Sequence, residues 1–239
     1  MWSRWRQNIY LDQTISEWFM LCWSAKWLGE EEVFGERLNA VEVAAENDKR
    51  IVTSLWKLLD EADIVIAHNG KRFDIPKMNS RFLLNELPPP SPYKQIDTKE
   101  VSAKQFGFSS NKLDALLIYF GEERKLDTDF ELWVKCMNGD EEALEYMLTY
   151  NKKDVTQLEK VYLKLRPYIK GHPNLGVYSM VEDNQCGHCG STSLIANGTT
   201  YTNISQYSTY RCTSCGAISR TRTTTNTVNK RKKLLTTIN

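Results

Sequence analysis

The sequence lacks a long apolar run: none approaches the roughly 18 residues that a membrane-spanning helix needs. Residues 1–6 lead into no apolar core like that of a signal peptide, so secretion is not indicated. An internal repeat and the G-x-G-x-x-G fingerprint of dinucleotide-binding folds are also absent. Hydrophobic residues make up 41% and charged residues 26% of the 239 residues, as in globular proteins. We therefore expect a globular, cytoplasmic protein with no membrane partner.

Acidic residues are missing from one end of the chain. No Asp or Glu follows Asp183, so residues 171–239 carry a net charge of +5, whereas residues 1–170 carry −4. The formal charge of +1 for the whole chain hides this division. Gly171 and Pro173 are typical of a boundary between two such parts. We predict a domain at 1–170 and a linker at 171–183. A cysteine-containing segment at 184–222 and a basic, disordered tail at 223–239 should follow.

Cysteine is sparse but clustered, because four of the six cysteines form two C-x-x-C pairs. The paired residues are Cys186, Cys189, Cys212 and Cys215. Each pair presents two thiolates from one tight turn, and Gly190 and Gly216, which follow the pairs, ease that turn. This spacing predicts a small β zinc ribbon, with two disulfides as the alternative in an oxidising compartment. His188 is predicted to be a loop residue, and Cys22 and Cys136 to be buried apolar residues.

The rest of the chain has the patterns of an α/β domain. Short apolar or β-branched runs predict strands at 18–28, 32–35, 62–68 and 96–98. Amphipathic patterns predict helices at 48–60, 75–86, 109–120 and 141–165. Asp48 is expected to cap the first of these helices. A strand hairpin followed by alternating strands and helices indicates an α/β fold with a mixed sheet.

The first candidate site residue is Asp74, which follows the predicted buried strand 62–68. Ligands of α/β sheets bind beyond the carboxyl ends of the strands, where a carboxylate is well placed. The alternative is structural: Asp74 caps the next helix, whose first turn tolerates Pro76. The spacing alone leaves both interpretations open.

The second candidate is Asp154, which lies on or beside the apolar stripe of the predicted helix 141–165. Tyr150 precedes it by four residues and shares its face. An ionised carboxylate that faces a core is costly unless it is paired or binds a metal, so this position indicates a function. The alternative is a solvated position at the edge of the stripe, beside Lys152 and Lys153.

Together these residues resemble two motifs of the DEDD-type 3′–5′ exonucleases, a family of the ribonuclease H-like superfamily. Asn69…Phe73-Asp74 resembles the second motif, and Tyr150-x-x-x-Asp154 has the Tyr-x-x-x-Asp form of the third. The likeness is closest to phage-encoded exonucleases that form part of a DNA polymerase. It implies a ribonuclease H-like mixed sheet flanked by helices.

The resemblance also implies two-metal hydrolysis of a phosphodiester at the 3′ end of DNA. Asp74 and Asp154 would then hold two Mg²⁺ or Mn²⁺ ions, and Tyr150 would orient the attacking water. Asn69 is expected to contact the nucleic acid, and Phe73 to pack beneath the site or against a terminal base. Lys71 either steers the DNA or is a solvated surface charge. The implied setting is phage DNA replication or proofreading in the host cytoplasm, with single-stranded DNA and a DNA polymerase as partners.

The family's first motif, an Asp-x-Glu on the opening strand, is missing, although the likeness covers about residues 8–170. Asp12 is the one acidic residue in a suitable place, but Asp12-Gln13-Thr14 lacks the Glu, and Glu17 lies five residues on. Half of the metal ligands and an inner strand would then be missing. Three explanations stay open: the true start lies upstream, a separate polypeptide supplies the strand, or the protein is an inactive relative that only binds nucleic acid.

The basic C-terminal part offers a second region for nucleic acid. Residues 184–239 contain seven basic residues and no acidic one. Phosphate contacts are predicted for Arg211, Arg220 and Arg222, and stacking on unpaired bases for Tyr201, Tyr207 and Tyr210. The zinc ribbon would hold the substrate while the domain at 1–170 processes its 3′ end. The alternatives are a structural ribbon with a solvated tail, whose tyrosines fill the small core, and a ribbon that docks a polymerase.

Overall fold

The computed structural model describes residues 18–124 and 128–236. These residues fall into two compact units, between which the chain passes several times. Unit 1 is drawn from the segments Met1–Glu61, Asp74–Ser91 and Lys125–Thr156. Unit 2 is drawn from Ala62–Phe73, Pro92–Arg124 and Gln157–Asn239. The boundary at 171–183 that the composition suggests stays a prediction.

The secondary structure alternates short strands with helices. The described strands are β1 Cys22–Ala25, β2 Phe34–Arg37, β3 Ile64–Ala67, β4 Lys94–Asp97, β5 Leu194–Tyr201, β6 Gln206–Cys212 and β7 Ile218–Arg220. The described helices are α1 Ala40–Ala44, α2 Lys49–Glu61, α3 Asp74–Leu84, α4 Thr98–Gln105, α5 Leu113–Tyr119, α6 Phe130–Met137, α7 Glu141–Leu165 and α8 Val228–Lys233. Two short 3-10 helices follow α7, at Arg166–Tyr168 and Leu175–Tyr178.

Unit 1 is built on the hairpin of β1 and β2. The two strands are antiparallel, with Cys22 opposite Arg37. A Cβ added to Gly35 would lie 2.8 Å from Ser24 Oγ, so glycine allows the close approach at this point. Helix α2 packs against β1 and α3. Its buried stripe consists of Ile51, Val52, Leu55 and Leu59, as the helical spacing predicts.

Unit 2 contains the parallel pair of β3 and β4. Ala67 at the end of β3 lies opposite Asp97 at the end of β4, so the chain leaves both strands at the same edge. A core cluster that includes residues of α5 and α7 is formed by Leu113, Leu116, Leu117, Val161 and Leu165. A second cluster packs Ile96 of β4 against Tyr162 and Ile169. The second cluster also includes the half-buried Ile64 and Ile66 of β3, so it anchors the strand pair that the loop at 69–73 follows.

Helix α7 carries two of the candidate site residues and has 25 residues. Leu144 and Met147 are buried in its first part, and Val161 and Leu165 in its last part. These positions follow the predicted apolar stripe. Within the described ranges, no helix combines the length and the apolar character that crossing a membrane requires.

The predicted α/β fold class is confirmed, with helices around small sheets. The sheet differs in detail from the single mixed sheet that was expected. In the described part of the chain, β1–β2 form an antiparallel pair and β3–β4 a separate parallel pair, because neither pair hydrogen-bonds to a further strand. Besides α8, which is described below, the helices α1, α4 and α6 were not predicted. They have 5 to 8 residues and are set by side-chain caps rather than by a long apolar stripe.

The C-terminal part forms a three-stranded antiparallel sheet in the order β5–β6–β7. The sequence predicts disorder over 223–239, and the structure has helix α8 within this segment. Thr227 caps α8 by accepting a hydrogen bond from the N–H of Lys230. Just before the cap, Thr224 Oγ1 donates a hydrogen bond to the carbonyl oxygen of Gln206 at 2.8 Å. The capping and this contact give the basic segment a local structure that its composition does not indicate.

Candidate functional site

The loop that follows β3 is held by the carboxylate of Asp97. The N–H groups of Asn69 and Lys71 donate to its two oxygens, at 2.9 and 3.2 Å. The same carboxylate accepts hydrogen bonds from the N–H groups of Lys99 and Glu100 as the N-cap of α4. Asp97 is only 5% exposed, so one buried carboxylate meets four backbone donors. The loop 69–73, which leads into Asp74, is therefore fixed at the edge where β3 and β4 end.

The backbone of Asn69 has a φ of +74°, in the left-handed region that asparagine tolerates better than most residues. Its carbonyl oxygen accepts hydrogen bonds from the N–H groups of Arg72 and Phe73, which closes the turn. Its side-chain Oδ1 accepts a hydrogen bond from Lys99 Nζ at 3.2 Å. A contact of Asn69 with nucleic acid stays a prediction, and the structure gives the residue a clear part in shaping the loop.

Replacing Asp97 should release this loop. We expect Asp97→Ala to lower the free energy of unfolding by about 2–3 kcal/mol, because it removes a helix cap and two further acceptor contacts. Hydrogen exchange at the Asn69 and Lys71 amides should become faster. The matched control is Asp129→Ala, which removes the N-cap of α6 and should cost about 1 kcal/mol. Equal losses in the two variants would contradict a special role of Asp97 in the loop.

Asp74, Tyr150 and Asp154 all belong to unit 1. Asp74 is the first residue of α3 and is exposed. Tyr150 and Asp154 lie one turn apart on α7, on the same face, and both are half-buried. The Oδ1 atom of Asp154 is inaccessible to solvent. The burial agrees with the position predicted for Asp154 at the apolar stripe, and the roles of the three residues stay predictions.

The carboxylates of Asp74 and Asp154 are the expected metal ligands, and their oxygens suit Mg²⁺ or Mn²⁺. Among the described residues, however, the side chains that lie close enough together to hold a metal ion as a group of three or more are the four cysteines. Neither Asp74 nor Asp154 belongs to that group. Asp12 and Glu17, the acidic residues considered for the first motif, lie outside the described residues. A metal site at Asp74 and Asp154 therefore stays a prediction, and these two residues are two of the four carboxylates of the expected set.

Two further predicted contacts flank Asp74. Lys71 forms an ion pair with Glu100 at 2.6 Å. Hydrogen bonds from Lys104 and from Lys71 lower the pKa of Glu100 to about 2, so the pair is ionised at neutral pH. Phe73 is 53% exposed. The contacts of Lys71 and Phe73 with nucleic acid stay predictions.

The four cysteines of the C-x-x-C pairs converge on one point. Their sulfur atoms all lie within 4.8 Å of one another, and His188 is not a member of the group. Cys186 Sγ lies 3.5 Å from Cys215 Sγ, and Cys189 Sγ lies 3.5 Å from Cys212 Sγ. These distances exceed a disulfide bond of about 2.05 Å, and the cysteines are free thiols. They are close to the sulfur–sulfur edge of a zinc tetrahedron with bonds of about 2.3 Å.

Each C-x-x-C pair is shaped by the same backbone turn. The N–H groups of Gly190 and Gly216 donate to the carbonyl oxygens of Cys186 and Cys212. Both glycines have positive φ angles, of 74° and 81°, which explains why glycine follows each pair. Burial acts to raise the pKa of Cys212, but hydrogen bonds from nearby backbone N–H groups and thiols outweigh it and lower the pKa to about 6. A thiolate ligand is thus available at neutral pH.

The first pair of cysteines is attached to the rest of unit 2. His188 Nε2 lies 3.1 Å from the carbonyl oxygen of Ile169, and the N–H of Leu175 donates to the carbonyl oxygen of Gly187 at 2.8 Å. The ring of His188 lies 4.8 Å from that of His172, centroid to centroid. His172 Nε2 is 2.8 Å from the hydroxyl of Tyr162 on α7, and burial lowers the pKa of His172. Burial therefore favours the neutral form of the His172 imidazole.

The predicted phosphate contacts lie on or next to the ribbon sheet. Arg211 is on β6 and Arg220 ends β7, while Arg222 follows two residues later. The guanidinium carbon of Arg220 lies 3.9 Å from the ring centroid of Tyr207, a cation–π contact. Tyr201 is 70% exposed. The sheet thus presents arginine and tyrosine side chains together, as the composition of the segment suggests.

Sequence reasoning missed Asp97 as a site residue. The predicted strand 96–98 contains Asp97, and in the structure Asp97 is the last residue of β4. Its four donors come from two segments of the chain, however, and only the folded structure brings them together.

No curated protein matches the sequence. A model of the RNase_H superfamily, RNase_H_2, matches residues 29–166, which is more than half of the chain. The match includes both candidate acidic residues and Tyr150, and it ends before the four cysteines. Ribonuclease H-like proteins include nucleases that act on nucleic acid with divalent metal ions. The chain belongs to the ribonuclease H superfamily.

Proposed function

We propose that the protein is a metal-dependent 3′–5′ exonuclease that acts on the ends of DNA. The proposal rests above all on Tyr150 and Asp154, which lie one turn apart on α7 within the part of the chain that matches the superfamily. Asp74 supports it, because this residue begins α3 after a loop that Asp97 holds at the strand edge. Together they provide the second and third motifs of the exonuclease pattern.

The proposed cofactor is Mg²⁺ or Mn²⁺, with Asp74 and Asp154 as ligands. A bound divalent ion supplies Lewis acidity for the attacking water and for the leaving 3′ oxygen. Two carboxylates provide half of the negative charge that a two-metal site of this family uses. We therefore propose Asp74 and Asp154 as the ligands that the described residues contribute to the metal centre.

The other side chains orient the reactants. Tyr150 would hold the attacking water through its hydroxyl group, one helical turn from Asp154. Phe73, half-exposed next to Asp74, would contact the terminal base. Lys71 and Asn69, in the loop fixed by Asp97, would contact the DNA backbone.

Asp154→Asn tests the proposal, because asparagine keeps the shape of the side chain and removes the charge. With 3′-labelled single-stranded DNA and Mn²⁺, we expect the parent chain to release the label. The variant should lose this activity by more than about 100-fold, since even the partners of metal ligands are worth about 10- to 100-fold. Asp183→Asn, a change of the same kind at an exposed residue outside the site, serves as the control and should leave the rate unchanged.

The second candidate function is a nucleic-acid-binding protein on a nuclease scaffold that has lost catalysis. The observation in its favour is that, among the described residues, neither Asp74 nor Asp154 belongs to a close group of three or more ligand-type side chains. Tight binding of the DNA by the parent chain without release of the label would support this function and overturn the exonuclease. Equal rates for the parent and Asp154→Asn would show that the activity does not come from this site.

We place the proposed activity in phage DNA replication or proofreading, in the cytoplasm of the host. The basis is the resemblance of the two motifs to phage exonucleases, which work with a DNA polymerase. A matching polymerase should bind the chain in a pull-down with purified proteins, and Asp154→Asn should bind equally well.

A further inference from the structure

One face of the ribbon sheet gathers arginine, tyrosine and threonine side chains. Residues of β6 alternate between the two faces, so Tyr207, Thr209 and Arg211 share one of them. Directly opposite residues share a face as well. The strand register therefore adds Ile195, Thr200, Ile218 and Arg220 to this face. We call these seven residues the ribbon face.

A cleft lies beside the irregular part of β5, and four ribbon-face residues are among its lining. The register of β5 and β6 shifts between Ala196 and Thr199, and Gly198 has a φ of +85°. Thr209 Oγ1 donates to the carbonyl oxygen of Asn197 at 2.9 Å, which holds the irregular turn against β6. The cleft has a volume of about 390 Å³. Its lining is Asn197, Thr199, Thr200, Thr209, Ile218, Ser219 and Arg220.

The lining and its rim favour a polyanion with flat bases. The lining residues carry hydroxyl groups, an amide and a guanidinium, which are groups that bind phosphate and base edges. Ile195 and Ile218 are about half-exposed beside them and give apolar area for the face of a base. The ring of Tyr207 is held by Arg220 at 3.9 Å, so an aromatic surface is fixed next to the cleft.

The positive charge of the segment after Asp183 favours a negatively charged partner. No acidic residue follows Asp183, so no carboxylate of this segment competes for the arginines of the ribbon face. Helix α8 adds Lys230, Arg231, Lys232 and Lys233. The segment before it is tied to the start of β6, because Thr224 Oγ1 donates to Gln206 O and Asn226 Nδ2 to Ile204 O. The positive charges are therefore held at the ribbon sheet.

We propose that the ribbon face binds single-stranded DNA, with Arg211 and Arg220 on phosphates, Tyr207 stacked on a base, and one nucleotide in the cleft. This inference rests on the proposed function, since it supplies the surface that would retain the DNA whose 3′ end is processed. A single strand fits better than a duplex, because stacking on Tyr207 requires an unpaired base. The basic residues of α8 strengthen the attraction at low salt.

The test is binding of a fluorescent dT12 oligonucleotide to the full, zinc-loaded chain without added Mg²⁺ or Mn²⁺, followed by anisotropy over a range of KCl concentrations. We expect Arg211→Gln/Arg220→Gln to weaken binding by about tenfold or more and to reduce the slope of log K against log salt by about 1.4, at about 0.7 per phosphate contact. Tyr207→Leu should weaken binding by about tenfold, and Tyr207→Phe should bind within about twofold of the parent.

The matched control is Lys135→Gln/Lys164→Gln, which removes two positive charges outside the ribbon and should change binding by less than about twofold. One zinc per chain in every variant shows that the ribbon remains folded. Equal losses in the control and in the arginine variant would overturn the inference, as would an unchanged slope. Tighter binding of U12 than of dT12 would overturn the choice of DNA.

Different results would overturn DNA binding by the ribbon face and the exonuclease activity. Label release that depends on Asp154, together with normal binding by the arginine and Tyr207 variants, would overturn the ribbon face and leave the exonuclease in place. Loss of binding in the ribbon variants, together with no label release by the parent, would support the ribbon face and overturn the exonuclease.

Discussion

Removing zinc from the four-cysteine site should unfold the ribbon. Its core consists of Cys186, Cys212 and Ala217, with the half-buried Cys189, Leu194 and Cys215 packed around them. Four of these six residues are the predicted ligands, so little apolar area remains to stabilise the sheet without metal. Structural zinc contributes about 10–16 kcal/mol in zinc-finger peptides at pH 7, far more than this core can supply. We therefore expect a chelator to abolish the slow hydrogen exchange of the β5–β7 amides.

Single substitutions should have the same effect as chelation. Cys212→Ser should lower the zinc content from one per chain to well below one, measured by elemental analysis, and should expose the β5–β7 amides. Cys22→Ala is the matched control, since Cys22 lies in unit 1 and its thiol pKa is raised to about 12 by burial and by the charge of Cys136. It should keep one zinc per chain. Slow exchange of the ribbon amides in Cys212→Ser would show that zinc is not needed for the fold.

Zinc affinity should also fall as the pH decreases. Burial raises the pKa of Cys189 and of Cys215, so zinc must displace protons from these thiols when it binds. The pKa of Cys212 is about 6, so below that pH a further proton competes with the metal. A competition titration between pH 8 and pH 5.5 should show an affinity that decreases steadily. A constant affinity would contradict binding through the thiolates.

Removing zinc should also disrupt the contacts that attach the ribbon to the rest of unit 2. His188 lies between the first two ligands in sequence, and its Nε2 lies 3.1 Å from the carbonyl oxygen of Ile169. When the turn at Cys186 and Cys189 unfolds, this contact and the ring contact with His172 should be lost. Faster exchange around Ile169 in the zinc-free chain would show that zinc stabilises more than the ribbon itself.

The features that could be predicted from the sequence are those set by neighbouring residues. The spacing of the cysteine pairs, with Gly190 and Gly216 behind them, is sufficient for the metal cluster, since each turn closes over five residues. The apolar stripe of α7 likewise gives the half-buried position of Asp154 without any knowledge of its neighbours. Periodicity and turn chemistry act over a few residues, so they can be interpreted from one sequence.

Contacts between distant segments could not be predicted in this way. Asp97 binds the N–H groups of Asn69 and Lys71, 28 and 26 residues earlier in the chain. The pairing of strands into separate small sheets also depends on partners that no local pattern identifies. Asp48 is a third example, because the sequence predicts a helix cap, and the structure places its carboxylate in a buried ion pair.

Asp48 and Arg81 form this ion pair within unit 1. Arg81 Nη2 donates to Asp48 Oδ1 at 2.6 Å. The side chain of Arg81 is 11% exposed and that of Asp48 is 0% exposed. The N–H of Met20 donates to Asp48 Oδ2 at 2.8 Å, and Asn85 Nδ2 to Oδ1 at 3.3 Å. Arg81 Nη1 also donates to the carbonyl oxygen of Trp18 at 3.1 Å. The carboxylate therefore joins the segment before β1 to α2 and α3.

Removing one partner of this pair should destabilise unit 1 strongly. We expect Asp48→Ala to lower the free energy of unfolding by about 3–5 kcal/mol, because it leaves the guanidinium of Arg81 buried without its carboxylate. Urea unfolding of the zinc-loaded chain measures the loss. The control is Glu36→Ala, which removes one ion pair of the more exposed Arg50 and should cost no more than about 1 kcal/mol.

A double variant separates the two contributions of the pair. Asp48→Leu/Arg81→Met removes both charges and keeps apolar volume, so it should be more stable than Asp48→Ala, since the cost of an unpaired buried charge is gone. It should not reach the stability of the parent, because the N–H of Met20 and the amide of Asn85 lose their acceptor. A double variant as unstable as Asp48→Ala would mean that the stability comes from these two hydrogen bonds rather than from the ion pair.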